Sequence, residues 1–191
     1  MSVFTSLPKF SFDVADGDSG AIPDPRLRDL ARYWFARCRD GLVPRRTDID
    51  PLEFPPLLPN IILLDRIATP QGDRFRFRLA GTAVVDFAGQ ELTGRYLDEV
   101  LPPTYFEFVA LTHHLAIQRQ RPVYASSLYH DKGNFVNALT YRLVMPLRIK
   151  GDEPEQIMVC QFWQRRAETG PWRGDWHSVK PEITVIAGLG G

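Results

Sequence analysis

The sequence predicts an α+β fold: a five-stranded antiparallel sheet with helices packed on one face, plus an N-terminal flanking helix. Three observations predict it. Apolar residues recur at helical spacing over 24–40, and the period then changes to that of strands over 61–79. A second helical pattern at 104–119 is followed by three strand-like runs, Val123–Tyr129, Phe135–Ile149 and Gln156–Arg166.

Each element has a local reason. Residues 1–23 read as a flexible tail, because Asp13 to Ile22 is a Gly/Asp/Ser-rich stretch of linker composition. Asp24 can cap the first helix and Pro25 suits its first position. Leu27, Leu30, Ala31, Trp34, Phe35 and Cys38 form its apolar stripe, and Gly41 supplies a stop. In the Pro-rich connection that follows, Asp50-Pro51-Leu52-Glu53 has the form of a short helix start, ended by Pro55, Pro56 and Pro59. Ile61–Leu64 and the alternating Arg74–Leu79 read as a hairpin across Pro70-Gln71-Gly72-Asp73. Short helical turns fit 81–103, where glycines and prolines interrupt the chain. Thr104, with Glu107 three residues on, is the expected cap of the long helix, and Pro122 ends it. The domain is expected to span 24–167, with a C-terminal extension at 168–191 carrying two Trp and a strand-like run, Ile183–Ile186.

Composition narrows the function. The 191 residues hold 23 Lys+Arg against 23 Asp+Glu, and 44% are hydrophobic. That suits one globular domain with a substantial core. Zero net charge argues against a nucleic-acid partner or an anionic membrane surface, both of which call for concentrated positive charge. No apolar run approaches the roughly 20 residues of a membrane helix, and no signal-peptide pattern opens the chain. Cys38 and Cys160 are too few for a disulfide framework and suit a reducing compartment, so a cytoplasmic location is expected.

Five strings, in order, sharpen the reading: Asp48-Ile49-Asp50-Pro51, Leu57-Leu58-Pro59-Asn60-Ile61, Phe77-Arg78-Leu79-Ala80-Gly81-Thr82, Glu91-Leu92-Thr93-Gly94-Arg95 and Tyr141-Arg142-Leu143-Val144-Met145-Pro146-Leu147. Together with the order of two strands, helices and three strands, they resemble a family of small bacterial single-domain PAS-like proteins. The resemblance covers roughly residues 25–166. It implies a sensory or regulatory module, not an enzyme, and brings no catalytic residues. No cysteine stands in a Gly-x-Asn-Cys-Arg-Phe setting, so the flavin-photoadduct type of PAS domain is not expected. Because no kinase, cyclase or DNA-binding motif follows, output is expected through a partner protein.

The expected ligand is small and largely apolar or aromatic, held between the sheet and the helices at 83–119. Its candidate lining is Phe75, Phe77, Phe87, Tyr105, Phe108, His113, Tyr141 and Trp163, for each of which core packing is the competing reading. His113 falls at the edge of the long helix's apolar side, and it is the candidate should a haem be bound. His114 falls on the polar side, while His130 and His177 read as solvated. An alternative enzyme reading, of isomerase or dehydratase type, would pair His113 with Asp86 or Asp98. A third reading is an interaction module with a filled core. Asp48, Asp50 and Glu53 form a carboxylate cluster in the sequence, but capping explains Asp50 and Glu53 without a divalent cation, and no metal site is expected. Arg74, Arg76 and Arg78 read as a solvated sheet face. The first helix's stripe either packs on its own sheet or forms a homodimer interface through Leu27, Leu30, Trp34 and Phe35.

Overall fold

The computed structural model describes residues 12–131, 136–165 and 181–190. Its centre is one seven-stranded sheet. In chain order the strands are β1 (Val14–Gly17), β2 (Ile61–Thr69), β3 (Gly72–Ala80), β4 (Val123–Asp131), β5 (Val136–Leu147), β6 (Gln156–Arg165) and β7 (Glu182–Ile186). Across the sheet they run β1-β7-β4-β5-β6-β2-β3. The five expected strands form the contiguous block from β4 to β3, with every neighbouring pair antiparallel.

Two strands extend that block. The run 183–186 pairs antiparallel with β4, and Val14–Gly17 pairs in parallel with β7. Residues 14–17 are therefore strand rather than linker. Their partner lies some 170 positions away in the chain, and a pairing that distant leaves no trace in local composition. Residues 1–11, 132–135, where a turn is expected, and 166–180, including His177, lie outside the described residues.

Four helices complete the fold: α1 (Pro25–Phe35), α2 (Thr82–Ala88), α3 (Leu97–Val100) and α4 (Pro103–Arg119). Local chemistry sets most of their ends. Asp24 accepts from the Arg26 amide at 2.8 Å and Pro25 takes the first position of α1. Asp50 accepts from the Leu52 amide at 2.9 Å and opens a single 3₁₀ turn, Pro51–Glu53. Gly89, at φ +66°, closes α2 in the left-handed conformation. The long helix starts one residue earlier than its expected cap. Pro103 occupies its first turn and Pro102 the cap position, so no side chain caps it.

The helices divide between the two faces. α1 covers one face, where Leu27, Leu30 and Trp34 cluster with Leu143, Met145, Met158 and Cys160. α2, α3 and α4 cover the other, where Phe108 and Val109 join Ile62, Val144 and Val159. The split follows the period of two along each strand. On β5, Tyr141, Leu143, Met145 and Leu147 belong to the α1 face, and Thr140, Arg142 and Val144 to the other.

The stripe of α1 is buried in its own monomer. Leu27 and Trp34 are 0% exposed and Leu30 is 2%, and the Trp34 indole donates to the Pro146 carbonyl at 3.0 Å. Packing on the chain's own sheet is what the structure shows. Leu27, Leu30 and Trp34 cannot also face a second copy, and Phe35 is half-buried against the same core. The Arg ladder is ion-paired. Arg76 and Arg78 reach Asp65, and Arg74 reaches Asp98 and Glu99.

Trp34→Ala should lower stability by about 3–5 kcal/mol in denaturant unfolding, because it opens a cavity and orphans the Pro146 carbonyl. A loss under about 1 kcal/mol would contradict a core role for this helix.

Candidate functional site

A cavity of about 400 Å³ lies between the sheet and α2–α4. Its floor comes from the sheet: Ile62 and Leu64 of β2, Phe77 of β3, Val159 and Gln161 of β6, and Arg142 of β5. Its roof comes from Val84 and Phe87 of α2, Gln90 and Leu92 of the following loop, Leu97 and Val100 of α3, and Tyr105, Val109 and His113 of α4. A register shift between Leu63 and Leu64 sets Leu64 opposite Phe77 and leaves Arg78 unpaired on the edge strand.

The walls are mostly apolar, and the polar groups converge at one corner. Arg142 is 3% exposed there. It donates to the Tyr105 hydroxyl and, at 3.3 Å, to Thr140 Oγ1. Thr140 in turn donates to the Ser127 carbonyl at 2.9 Å. Both acceptors of this guanidinium are neutral hydroxyls, and among the described residues Arg142 has no acidic partner. Its Nε is buried without a hydrogen bond.

His113 also lines the cavity and is 1% exposed. Its Nδ1 lies 2.7 Å from the Val109 carbonyl oxygen. A carbonyl only accepts, so Nδ1 carries the proton and Nε2 is the bare nitrogen of a neutral ring. That Nε2 is buried and has no partner. Burial, with a smaller contribution from the Arg142 charge, pushes the imidazole down to about 3; the Val109 bond opposes this. His113 is therefore neutral at physiological pH.

Four of the expected lining residues reach the cavity: Phe77, Phe87, Tyr105 and His113. The others have different places. Phe75 packs against the rings of His113 and His114, both at 5.2 Å. Phe108 is covered by Phe12 at 5.4 Å. Trp163 backs Phe87 at 4.5 Å, behind the wall rather than in it. Tyr141 faces the opposite side of the sheet, stacked on Phe162 at 5.9 Å. The group that sequence reasoning missed is its neighbour Arg142, together with Thr140 and Gln161. The available signal was a lone charge inside an apolar strand, on the parity that faces α4.

Other candidate chemistry is not assembled. Asp86 is exposed on α2, Asp98 is held by Arg74 at 2.7 Å, and neither lines the cavity. Asp48 accepts from the Arg45 amide at 2.9 Å, and Glu53 pairs with Arg37. No cluster of three or more His, Cys, Asp and Glu suited to a metal occurs among the described residues. The cysteines do not fit a flavin photoadduct. Cys160 packs on the α1 face with its thiol pushed up to about 12 by burial, and Cys38 follows α1. His113 has the tautomer that a haem ligand needs. Its Nε2 is shut in by packed side chains, however, so a porphyrin could reach it only by displacing them, and the residues do not fit haem.

A two-faced antiparallel-cored sheet with helices on both sides and a cavity under the short helices defines an α+β domain. Residues 23–162 match the PAS domain family, and the chain belongs to it. Solved structures similar to it include a light-oxygen-voltage (LOV) protein of Rhodobacter sphaeroides, at 14% identity and a TM-score of 0.43, covering 63% of this chain and 71% of that one. A variant of Vivid is 15% identical with a TM-score of 0.42, covering 70% and 99%. An RNA-binding light-oxygen-voltage receptor is 16% identical with a TM-score of 0.39, covering 65% and 36%. A search of curated proteins finds no match. Among the described residues no helix is long and apolar enough to cross a membrane.

The His113 environment has a consequence for pH. Between about pH 6.5 and 3 the unfolded chain takes a proton that folded His113 refuses. Stability is thus full above pH 6.5 and falls below it, by up to about 1.4 kcal/mol per pH unit. Burial lowers His114 in the same direction. His113→Asn keeps a donor for Val109 and removes the titration, so its unfolding free energy should fall less steeply between pH 6.5 and 5. An unchanged slope would contradict the buried neutral ring.

Proposed function

We propose that this chain is a sensory or regulatory module, without enzymatic activity. It binds a small, largely apolar molecule between the sheet and α2–α4, and a partner protein reads the occupancy. The cavity itself carries this reading. Its 400 Å³ falls within the roughly 300–1,000 Å³ of small-molecule sites, and apolar walls with a few convergent polar groups are their usual lining.

The sheet supplies a route for the signal. Arg142 lies under the ligand, and its chain neighbours Tyr141 and Leu143 lie under α1. Arg26 of α1 stacks over Phe162 at 3.5 Å and reaches the Tyr141 hydroxyl at 3.4 Å. A ligand that moves Arg142 moves the strand on which α1 rests. The outward face of α1, with Asp29 and Arg32 exposed, is the surface a partner would read. Such coupling requires that the ligand bind the two arrangements of β5 and α1 with different affinity.

Native mass spectrometry of the purified protein should show a bound small molecule that is lost on denaturation. Val84→Phe, which fills the cavity from α2, should carry little or none. Equal loading of the variant, or a wild type from which no molecule is ever released, would contradict this reading.

A further inference from the structure

The corner of the cavity holds a positive charge with nothing on the described chain to balance it, and the ligand's chemistry follows from that. Resting on the ligand-binding reading above, we propose that the cavity takes a monocarboxylate. Its medium-chain or single-ring apolar body fills the space under α2–α4, and its carboxylate meets Arg142 and Tyr105.

The guanidinium cannot escape its charge by losing a proton. A buried cation therefore needs an anion or a full set of acceptors. Arg142 has neither among the described residues. Its acceptors are two hydroxyls that also bond each other at 3.0 Å, Thr140 being engaged with Ser127 as well, and its Nε has none. A planar carboxylate matches the guanidinium fork and supplies both the missing charge and the missing acceptors.

The rest of the lining fixes the ligand's charge at one. Among the described residues, Arg142 is the one charged side chain that lines the cavity. His113 adds none, since its Nδ1 proton is committed to Val109 and its Nε2 is a bare acceptor. A phosphate dianion or a dicarboxylate would bring a second charge into walls made of Leu64, Phe77, Val84 and Leu97, with no cation to meet it. An amine would set like charge against Arg142.

The test uses the full chain and titrates octanoate and phenylacetate against octanamide, phenylacetamide and octylamine. Calorimetry and the shift in melting temperature are the readouts. At least one acid should bind about 10- to 100-fold more tightly than its amide, the worth of a charge-assisted hydrogen bond. The amine should not bind measurably. Arg142→Met should lose the preference for acid over amide while still binding the amide. Tyr105→Phe, a milder change, should weaken the acid by about fivefold and leave the amide unchanged. Acid and amide binding alike to the wild type, or a preference that survives both substitutions, would overturn the carboxylate proposal and leave the ligand-binding reading standing. Failure of acids and amides alike to bind would overturn both.

Discussion

Strand β5 runs through the middle of the seven-stranded sheet and is covered on both faces, and the two faces ask different things of it. Against α1, Leu143, Met145 and Leu147 pack with the helix stripe in one buried cluster, and Tyr141 packs against it. Against α4, Thr140, Arg142 and Val144 meet a helix held away from the sheet by short turns, and a cavity remains. The period of two is what makes this division, since adjacent residues of one strand must serve opposite layers. Were α1 absent, the face carrying Leu143, Met158 and Cys160 would be an exposed apolar patch, and such patches drive association. The helix closes that face within the monomer and leaves its own polar side, with Asp29 and Arg32, outward.

The cavity face departs from the rules that the rest of the molecule obeys. Elsewhere, charges near the surface are paired: Arg66 with Asp73, Arg74 with Asp98, Arg37 with Glu53. Asp65, mostly buried, accepts from Gln156 and from Arg76. Arg142 and His113 alone combine near-complete burial, an unpartnered nitrogen and a place on a cavity wall, among the described residues. A chain that is locally consistent nearly everywhere breaks its own pattern at this cavity, and such departures are held in place by the packing around them. Here that packing is Phe75 on His113 and the Ser127–Thr140 pair beneath Arg142.

How much of this was legible in the sequence follows from the range of the interactions. The Asp24 cap, the Asp50 turn and the stripe of α1 are local, and their residues announce them. The five central strands and the long helix were legible from period alone. The parallel pairing of Val14–Gly17 with β7 was not, because it depends on a partner at the far end of the chain. The cap of α4 was misplaced because Thr104 with Glu107 mimics a capping box, whereas Pro103 had already started the helix. The site was half legible. Aromatic residues near the cavity could be named, but a one-residue error in parity exchanges the faces of a strand. Tyr141 packs on the α1 face, and it is its neighbour Arg142 that lines the cavity. Nor does sequence show which face α1 would cover, since its stripe fits its own sheet and a second copy equally well.

The central claim is that Arg142 is buried for the sake of a ligand and not for the fold. Equilibrium unfolding of the ligand-free protein tests it most directly, comparing wild type with Arg142→Met at neutral pH. Removing an unbalanced buried charge in favour of an apolar side chain of similar length should stabilise the protein, by about 1–3 kcal/mol, with the denaturant slope unchanged. A variant less stable than wild type by a similar amount would show that Arg142 holds the fold together, and would contradict the account.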